Sequence, residues 1–459
     1  MPAPRVLIVG GGFGGLTVAQ RLARAPVHVM LVDRQNHHLF QPLLYQVASA
    51  AVSSVEIAAP LRHVLGKQRN ATVVLGEVES IDLAKRTATL APMVEEAMAE
   101  EGGGAGDARP DAPTSRRRTI EYDWLVLAPG AVDDYFGNEA WRPDAPGLKT
   151  LDEALEIRSR ILLAFERAEN EDDAARRSAW ITFVIVGAGP TGVGSPERSS
   201  RLAVDAIVRD FRQVDTAATR VVLIEAGERL LPAMHPDSSA SALRGSEGLG
   251  VEVRRRVVGV DGGRVSLQGG ESIAAHGALG RGCARGALLA TLGVPLARGG
   301  RIAVRPDLSL AEHPEVFVIG DAAACTDPRG RAVPGVAPAA MQMGRHVAAV
   351  IAREVRAAPR GDATGRGPVV TGAATAAPAR PPFRYVDKGT MATIGRSRAV
   401  AELGGRHFGG LVAWLLWLFV HLIFLVGFRN RIVVLISWAQ SYLFFRAGAR
   451  VITQTRRET

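Results

Sequence analysis

The chain has few cysteines, and this scarcity excludes several classes of protein. Among 459 residues only Cys283 and Cys325 are cysteines, and they lie far apart in the sequence. Two distant cysteines cannot form a disulphide framework, a zinc ribbon or a C-x-x-C redox pair. No other cluster of ligand side chains is spaced for a metal, so we predict no metal site.

Aromatic residues are also scarce, at 5% of the chain. The formal net charge is +9, which raises the question of nucleic-acid binding. Arginines are spread along the whole sequence, with short clusters at 116–118 and 254–256, and no basic stretch is interleaved with aromatic residues. We therefore expect no nucleic-acid binding. A basic protein beside an anionic membrane fits this charge equally well. The N-terminus shows no charged-then-apolar leader, so we expect a cytoplasmic protein.

The first informative stretch is a glycine-rich loop between an apolar strand (6–9) and an apolar helix. Asp33 ends the following strand, at about the 20-residue spacing of a dinucleotide-binding fingerprint. The glycines of this loop are Gly10, Gly12, Gly14 and Gly15. Such glycines allow a tight turn, a close pyrophosphate and tight helix packing, and the acid accepts hydrogen bonds from a ribose. The alternative is an ordinary glycine-rich turn of an α/β protein.

The same pattern returns later in the chain. An apolar strand (183–186) leads into Gly187, Gly189 and Gly192, and a second strand (221–224) ends at Glu225. Two dinucleotide sites in one chain indicate hydride transfer between a diffusing nicotinamide and a bound flavin. Glu225 should favour NADH, because its charge would repel the 2′-phosphate of NADPH.

Two further strand ends are candidates for flavin contacts. The apolar strand at 122–130 closes on a Pro-Gly turn, so Gly130 can lie against a cofactor. The strand at 314–321 closes on Gly-Asp, and the Asp321 carboxylate can accept hydrogen bonds from the ribityl chain of a flavin. A predicted helix at 335–351 follows and contains Gln342.

These residues together resemble the type II NADH dehydrogenases, which are single-subunit flavoproteins. The resemblance runs nearly end to end. It rests on the two glycine loops, on Phe40-Gln41-Pro42-Leu43-Leu44-Tyr45-Gln46-Val47-Ala48, on residues 316–321 and 335–346, and on the Trp-, His- and Arg-containing tail. It implies an enzyme that passes electrons from NADH to a membrane quinone through FAD, without pumping protons.

The resemblance also implies the architecture and the placement of the ligands. We expect an α/β fold with two Rossmann-like domains, as in glutathione reductase, plus C-terminal membrane-associating helices. The expected FAD-binding domain covers 1–150 and 306–356, and the NADH-binding domain covers 151–305. A linker (357–382) and a membrane-association region (383–459) follow. FAD would bind the first loop, NADH the second, and quinone would lie beneath the flavin near Gln342, the expected catalytic residue. A homodimer is one assembly that we consider.

Two short stretches depart from the family pattern. Residues 194–201 read Gly-Ser-Pro-Glu-Arg-Ser-Ser-Arg, where relatives continue with Glu and an Ala/Leu-rich helix. Residues 277–286 are rich in Gly, Arg and Ala, where relatives carry a Trp-Ala-Ala-Gly-like turn. Local frame shifts in the gene are our hypothesis for both. The alternatives therefore remain a flavoprotein with an impaired nicotinamide site and a ferredoxin-type NAD(P)H reductase.

The tail indicates attachment to a membrane. Residues 411–428 and 432–445 are apolar and aromatic, with arginines at their edges. Such edging suits helices that lie in the headgroup region. A spanning helix would place several arginines outside, against the positive-inside trend. We therefore expect a monotopic protein on the cytoplasmic face of the membrane.

Overall fold

The computed structural model describes residues 3–92, 117–194, 211–246, 250–275, 277–279, 287–357, 380–444 and 452, except residues 136, 254, 396 and 427. The strands among these residues are β1 (Arg5–Val9), β2 (His28–Asp33), β3 (His37–Leu39), β4 (Ala58–Pro60), β5 (Ala71–Leu75), β6 (Val78–Asp82), β7 (Thr87–Leu90), β8 (Arg118–Glu121), β9 (Trp124–Leu127), β10 (Thr182–Val186), β11 (Arg220–Glu225), β12 (Gly250–Val253), β13 (Val257–Asp261), β14 (Arg264–Leu267), β15 (Ser272–Ala274), β16 (Gly277–Leu279), β17 (Ile302–Ala303), β18 (Val316–Val318), β19 (Ala323–Ala324), β20 (Thr390–Gly395), β21 (Arg398–Leu403) and β22 (Arg406–Gly409).

The α-helices among the same residues lie between and after these strands in the chain. They are α1 (Phe13–Arg21), α2 (Leu44–Ala48), α3 (Ser54–Ile57), α4 (Leu61–Val64), α5 (Leu151–Glu169), α6 (Ala174–Trp180), α7 (Pro236–Gly245), α8 (Ala287–Ala290), α9 (Ala337–Ala357), α10 (Gly410–Phe424) and α11 (Phe428–Phe444). The chain divides into two compact units. The first comprises residues 1–38, 60–132 and 284–387, and the second comprises residues 39–59, 133–283 and 388–459.

The first unit contains a five-stranded parallel sheet in the order β18-β9-β1-β2-β5. Successive side chains of a strand point to opposite faces, so both faces of this sheet must be covered. One face packs on α1 and α9, and its side chains include Val6, Ile8 and Val126. The other face packs on the antiparallel sheet β6-β7-β8, and its side chains include Leu7, Leu125 and Leu127. The result is a three-layer arrangement with a core on each side of the parallel sheet.

The second unit contains a four-stranded parallel sheet in the order β12-β11-β10-β16. Val184, Val222 and Ile224 of this sheet pack against the antiparallel sheet β13-β14-β15. The opposite face is covered by α5, where the Phe165 ring lies 6.0 Å from the Phe183 ring. Helix α5 begins with a capping box between Thr150 and Glu153, as its sequence favours. Both units are thus α/β, as the sequence predicts.

The C-terminal part of the second unit is a three-stranded antiparallel sheet, β20-β21-β22, followed by α10 and α11. The apolar run expected at 411–428 is broken, because α10 ends at Phe424 and Leu425 adopts an extended conformation. Among the residues that the structure describes, no helix is both long enough and apolar enough to cross a membrane.

Candidate functional site

The first glycine loop forms a turn that side chains would block. Gly10 has a φ of +102°, a region that side-chain-bearing residues avoid. A Cβ atom added at Gly15 would lie 1.9 Å from the Gly10 carbonyl oxygen, so the helix can start there only without a side chain. At Gly12, the N-cap of α1, an added Cβ atom would meet no atom within 4 Å. The loop therefore has no space for a side chain at Gly15, where it packs against the protein. It has free space at Gly12, the N-terminus of α1, where backbone N–H groups attract phosphate.

Asp33 holds this loop through the backbone. Its Oδ2 atom accepts a hydrogen bond of 2.5 Å from the Gly11 N–H, and its Oδ1 atom accepts one of 2.7 Å from the Gln35 N–H. Each carboxylate oxygen can accept about two hydrogen bonds. The side chain can therefore shape the loop and still accept a ribose hydroxyl.

The remaining flavin candidates of the first unit lie on or near the same sheet. A Cβ atom at Gly14 would lie 2.9 Å from Ile319 Cδ1, and Gly130 has a φ of +71° with no atom within 4 Å of an added Cβ. Asp321 follows β18 in a short 3-10 helix, and its Oδ1 atom lies 2.9 Å from the Cβ position of Gly335. The loop, its open face and this partly buried carboxylate fit a dinucleotide such as FAD.

Gln342 lies on α9 and forms two hydrogen bonds with the backbone of one residue, Val386. Its Oε1 atom accepts from the Val386 N–H and its Nε2 donates to the Val386 carbonyl, each over 2.9 Å. A primary amide carries two N–H donors, so one remains for a ligand. The sequence did not indicate this contact, because Gln342 and Val386 are 44 positions apart and a linker of low complexity separates them.

The second loop repeats the geometry of the first. Gly187 has a φ of +96°, and a Cβ atom at Gly192 would lie 1.8 Å from the Gly187 carbonyl oxygen. Gly189 accepts a hydrogen bond of 2.9 Å from the Val193 N–H, which begins the helical turn at 190–194. The second acid, Glu225, acts like Asp33: Oε2 accepts from the Ala188 N–H and Oε1 from the Gly227 N–H, each over 2.7 Å.

Two histidines of the first unit, His38 and His346, have packing roles in the structure. His38 is buried, its Nδ1–H donates to the Gly11 carbonyl over 3.0 Å, and its ring meets Phe13 edge-on. Burial lowers the pKa of His38. Burial also lowers the pKa of His346, whose ring packs edge-on against Phe383.

A buried polar chain in the second unit escaped sequence analysis. The Trp438 indole donates to Gln46, Gln46 donates to the Tyr45 hydroxyl, and that hydroxyl pairs with the Thr393 hydroxyl. The loop at 40–48 was notable for its aromatic and amide groups, but no local signal identifies partners that are hundreds of positions away.

Several predicted features lie outside the described residues. These are most of the linker at 357–382, residues 195–201 of the first unusual stretch and residues 280–286 of the second. Gly194 is described, and a Cβ atom there would lie 2.8 Å from the Thr393 hydroxyl.

Comparison with known proteins identifies the family to which the chain belongs. Residues 4–344 match the pyridine nucleotide-disulphide oxidoreductase family, and residues 388–447 match the NDH2 C-terminal domain. The chain is 40% identical to the type II NADH:quinone oxidoreductase Ndh of Mycobacterium tuberculosis, over 98% of this chain and 90% of that protein. It is 39% identical to NdhA of the same organism, over 98% and 89%. The structure of NDH2 from Plasmodium falciparum in complex with NADH has the same fold, with a TM-score of 0.80 at 16% identity, covering 98% of this chain and 100% of that chain.

Proposed function

Because the chain belongs to the type II NADH:quinone oxidoreductases of the pyridine nucleotide-disulphide oxidoreductase family, we propose that it passes electrons from NADH to a membrane quinone. FAD is the redox cofactor, and no proton pumping accompanies the transfer. When bound, FAD supplies the redox chemistry, accepting hydride and passing the electrons on. The protein supplies binding, orientation and polarity.

The observation that carries this proposal is the duplicated loop. In each unit a glycine at positive φ is followed by a glycine that has no room for a Cβ atom, and an acid at the end of the second strand bonds the loop N–H. We assign FAD to the first unit and NADH to the second. The proposed FAD-binding residues are Gly10, Gly12, Gly14, Gly15, Asp33, Gly130 and Asp321. The proposed NADH-binding residues are Gly187, Gly189, Gly192 and Glu225.

Gln342 is the proposed catalytic contact of the quinone. Its amide orientation is set by two hydrogen bonds to Val386, and its second Nε2 proton can bond a quinone carbonyl. Pro338, one turn earlier on α9, has no side-chain amide to offer. The proposed hydrogen bond from this turn of α9 to the quinone therefore depends on Gln342.

The proposed membrane-attachment surface is the exposed apolar side of α10 and α11. Its residues are Leu411, Val412, Leu415, Phe419 and Ile423 on α10 and Ile432, Leu435 and Ile436 on α11, each between 42% and 62% exposed. Leu411, Leu415, Phe419 and Ile423 recur at four-residue intervals and form one stripe along α10, with Val412 beside its start. With 15 residues, α10 is about 22 Å long against a hydrocarbon core of about 30 Å. These observations support a helix lying in the interface rather than spanning it.

The proposed domain limits and partners follow from the same reasoning. FAD would bind within 1–150 and 306–356, NADH within 151–305, and residues 383–459 would contact the cytoplasmic face of the membrane. NADH, quinone and the bilayer surface are the partners that we propose, without nucleic acid. Light scattering of the detergent-purified protein tests a homodimer.

Turnover in lipid vesicles tests the overall proposal. The purified protein should oxidise NADH when a quinone is present in the bilayer, and a trapped pH dye should report no proton translocation. The ferredoxin-type alternative predicts NADH oxidation with a ferredoxin and none with quinone. Turnover with ferredoxin alone would therefore contradict the proposal.

A further inference from the structure

Arg158 on α5 is a buried arginine that has no counter-ion among the residues that the structure describes. It is 7% exposed, and its Nε atom has no hydrogen-bond partner in that part of the chain. None of the carboxylates that the structure describes pairs with it, and burial lowers its pKa. Two positions along the helix, Arg160 pairs with Glu156 over 2.5 Å. An unpaired buried cation is strongly destabilising, and a charged group held in such a place is a candidate for ligand binding.

The direction of α5 follows from two contacts near its C-terminus. Glu169 accepts hydrogen bonds from the backbone N–H groups of residues 212–214, which precede β11. One turn earlier, Phe165 contacts Phe183 at the start of β10. The C-terminus of α5 therefore lies at the amino edge of the parallel sheet, and its N-terminus points toward the carboxyl edge.

Arg158 consequently lies on the part of α5 nearer the carboxyl edge of the sheet, the edge at which the second glycine loop follows β10. It lies seven residues before Phe165, two helical turns away on the same face, which corresponds to about 10 Å of rise. From Phe183 to Gly187 the strand advances about 13 Å. Helix α5 also packs on α2, and Tyr45 of α2 lies 3.7 Å from the Cβ position of Gly194 in the helical turn after the loop. Both relations place this part of α5 on the side of the second unit that carries the glycine loop and the turn after it.

We propose that Arg158 binds the pyrophosphate of the dinucleotide held by the second loop. This inference rests on the proposed function and adds one residue to it. Backbone N–H groups at the loop contribute partial positive charge, whereas the guanidinium contributes a full charge and paired donors for phosphate oxygens. Ligand binding would give the Arg158 guanidinium its counter-ion. A role in binding would explain why the chain keeps a side chain that destabilises the free protein.

The test is a titration of the detergent-purified holoprotein with NAD⁺ and, separately, with adenosine. Arg158→Met should raise the Kd for NAD⁺ roughly 10-fold to 100-fold, the effect of losing a charged hydrogen bond. Arg158→Lys should recover part of this loss, because it keeps the charge. The matched control Arg160→Met should bind NAD⁺ as the wild type does. The Kd for adenosine, which lacks phosphate, should be the same in all four proteins.

A second measurement separates binding from folding and from lipid. Arg158→Met should not lower the unfolding midpoint, since it replaces an unpaired buried charge by an apolar chain. Equal NAD⁺ affinity in Arg158→Met and wild type overturns the inference, and so does a lowered midpoint. Loss of binding to phosphatidylglycerol vesicles with unchanged NAD⁺ affinity would assign Arg158 to a lipid phosphate and also overturns it. A wild-type protein that binds no NAD⁺ contradicts instead the proposed function.

Discussion

The indole N–H of Trp438 donates a hydrogen bond of 2.7 Å to the Oε1 atom of Gln46, although 392 positions separate the two residues. Gln46 is completely buried and Trp438 nearly so. The bond joins the terminal helix α11 to the short helix α2. Alongside it, the Ser437 hydroxyl donates to Glu56 of α3. The segment at 39–59 is therefore held by the same helix that carries part of the proposed membrane-attachment surface.

Trp438→Phe should destabilise the second unit, because it removes the donor and leaves the buried Gln46 oxygen unpaired. The expected loss in the free energy of unfolding is about 1–3 kcal/mol, measured by urea denaturation. In the double variant Trp438→Phe/Gln46→Met neither partner remains polar. That variant should lose less than the sum of the two single variants, and additive losses would show that the bond contributes nothing.

Asp133 should make stability depend on pH. Burial and the nearby Glu153 carboxylate raise the pKa of Asp133 to about 7. The unfolded chain releases this proton near pH 4, so the folded state binds more protons between about pH 4 and 7 and its stability falls as pH rises through that window. Asp133→Asn resembles the protonated form. The variant should therefore lose less stability than the wild type between about pH 5 and 8, by on the order of 2 kcal/mol.

Urea midpoints at both pH values measure this difference. Asp172→Asn changes an exposed carboxylate of the same unit and is the matched control. The control should show the wild-type pH dependence. If Asp133→Asn also follows the wild type, the buried carboxyl does not govern this pH dependence.

Glu225→Gln should weaken NADH binding and relax the choice of nucleotide. The uncharged amide loses charge-assisted bonds to the loop and no longer repels a 2′-phosphate. We expect the KM for NADH to rise about 10-fold while the ratio of NADPH to NADH activity increases. Glu228→Gln, an exposed change in the next turn of chain, should leave both parameters unaltered. Equal rates with both nucleotides in the wild type would contradict the assignment.

Leu415→Lys/Phe419→Lys should reduce vesicle binding, because it places two charges on the exposed stripe of α10. Both side chains are more than half exposed, so the fold should tolerate the changes. Co-sedimentation with vesicles measures the effect. The control Val258→Lys replaces an equally exposed apolar residue on β13 and should bind as the wild type does. Unchanged sedimentation of the double variant would exclude this stripe as the attachment surface.

The glycine loops could be predicted from sequence because their chemistry is local. Gly10 and Gly187 mark turns at positive φ, and Asp33 and Glu225 come at a regular distance after them. The α/β class followed from those two units. The pairing of each acid with its own loop N–H was not visible, since a carboxylate at a strand end fits ligand binding equally well.

Contacts between distant segments could not be predicted from local sequence patterns. Nothing near Gln46 indicates Trp438, and nothing near Gln342 indicates Val386. The break after Phe424 was missed because the apolar pattern continues through it, and hydropathy does not report a change in backbone dihedrals. Arg158 was missed because arginine on a helix is ordinarily solvated, and its burial depends on tertiary packing that the local sequence does not report.

Anaerobic half-reactions of the purified protein test the central claim most directly. The wild type should show a flavin absorption band that bleaches promptly on addition of one equivalent of NADH and returns when a quinone is added in the absence of oxygen. Bleaching by NADH and recovery by quinone together demonstrate both halves of the reaction in one sample. A flavin band that NADH does not bleach, or that quinone does not restore, would contradict an NADH:quinone oxidoreductase.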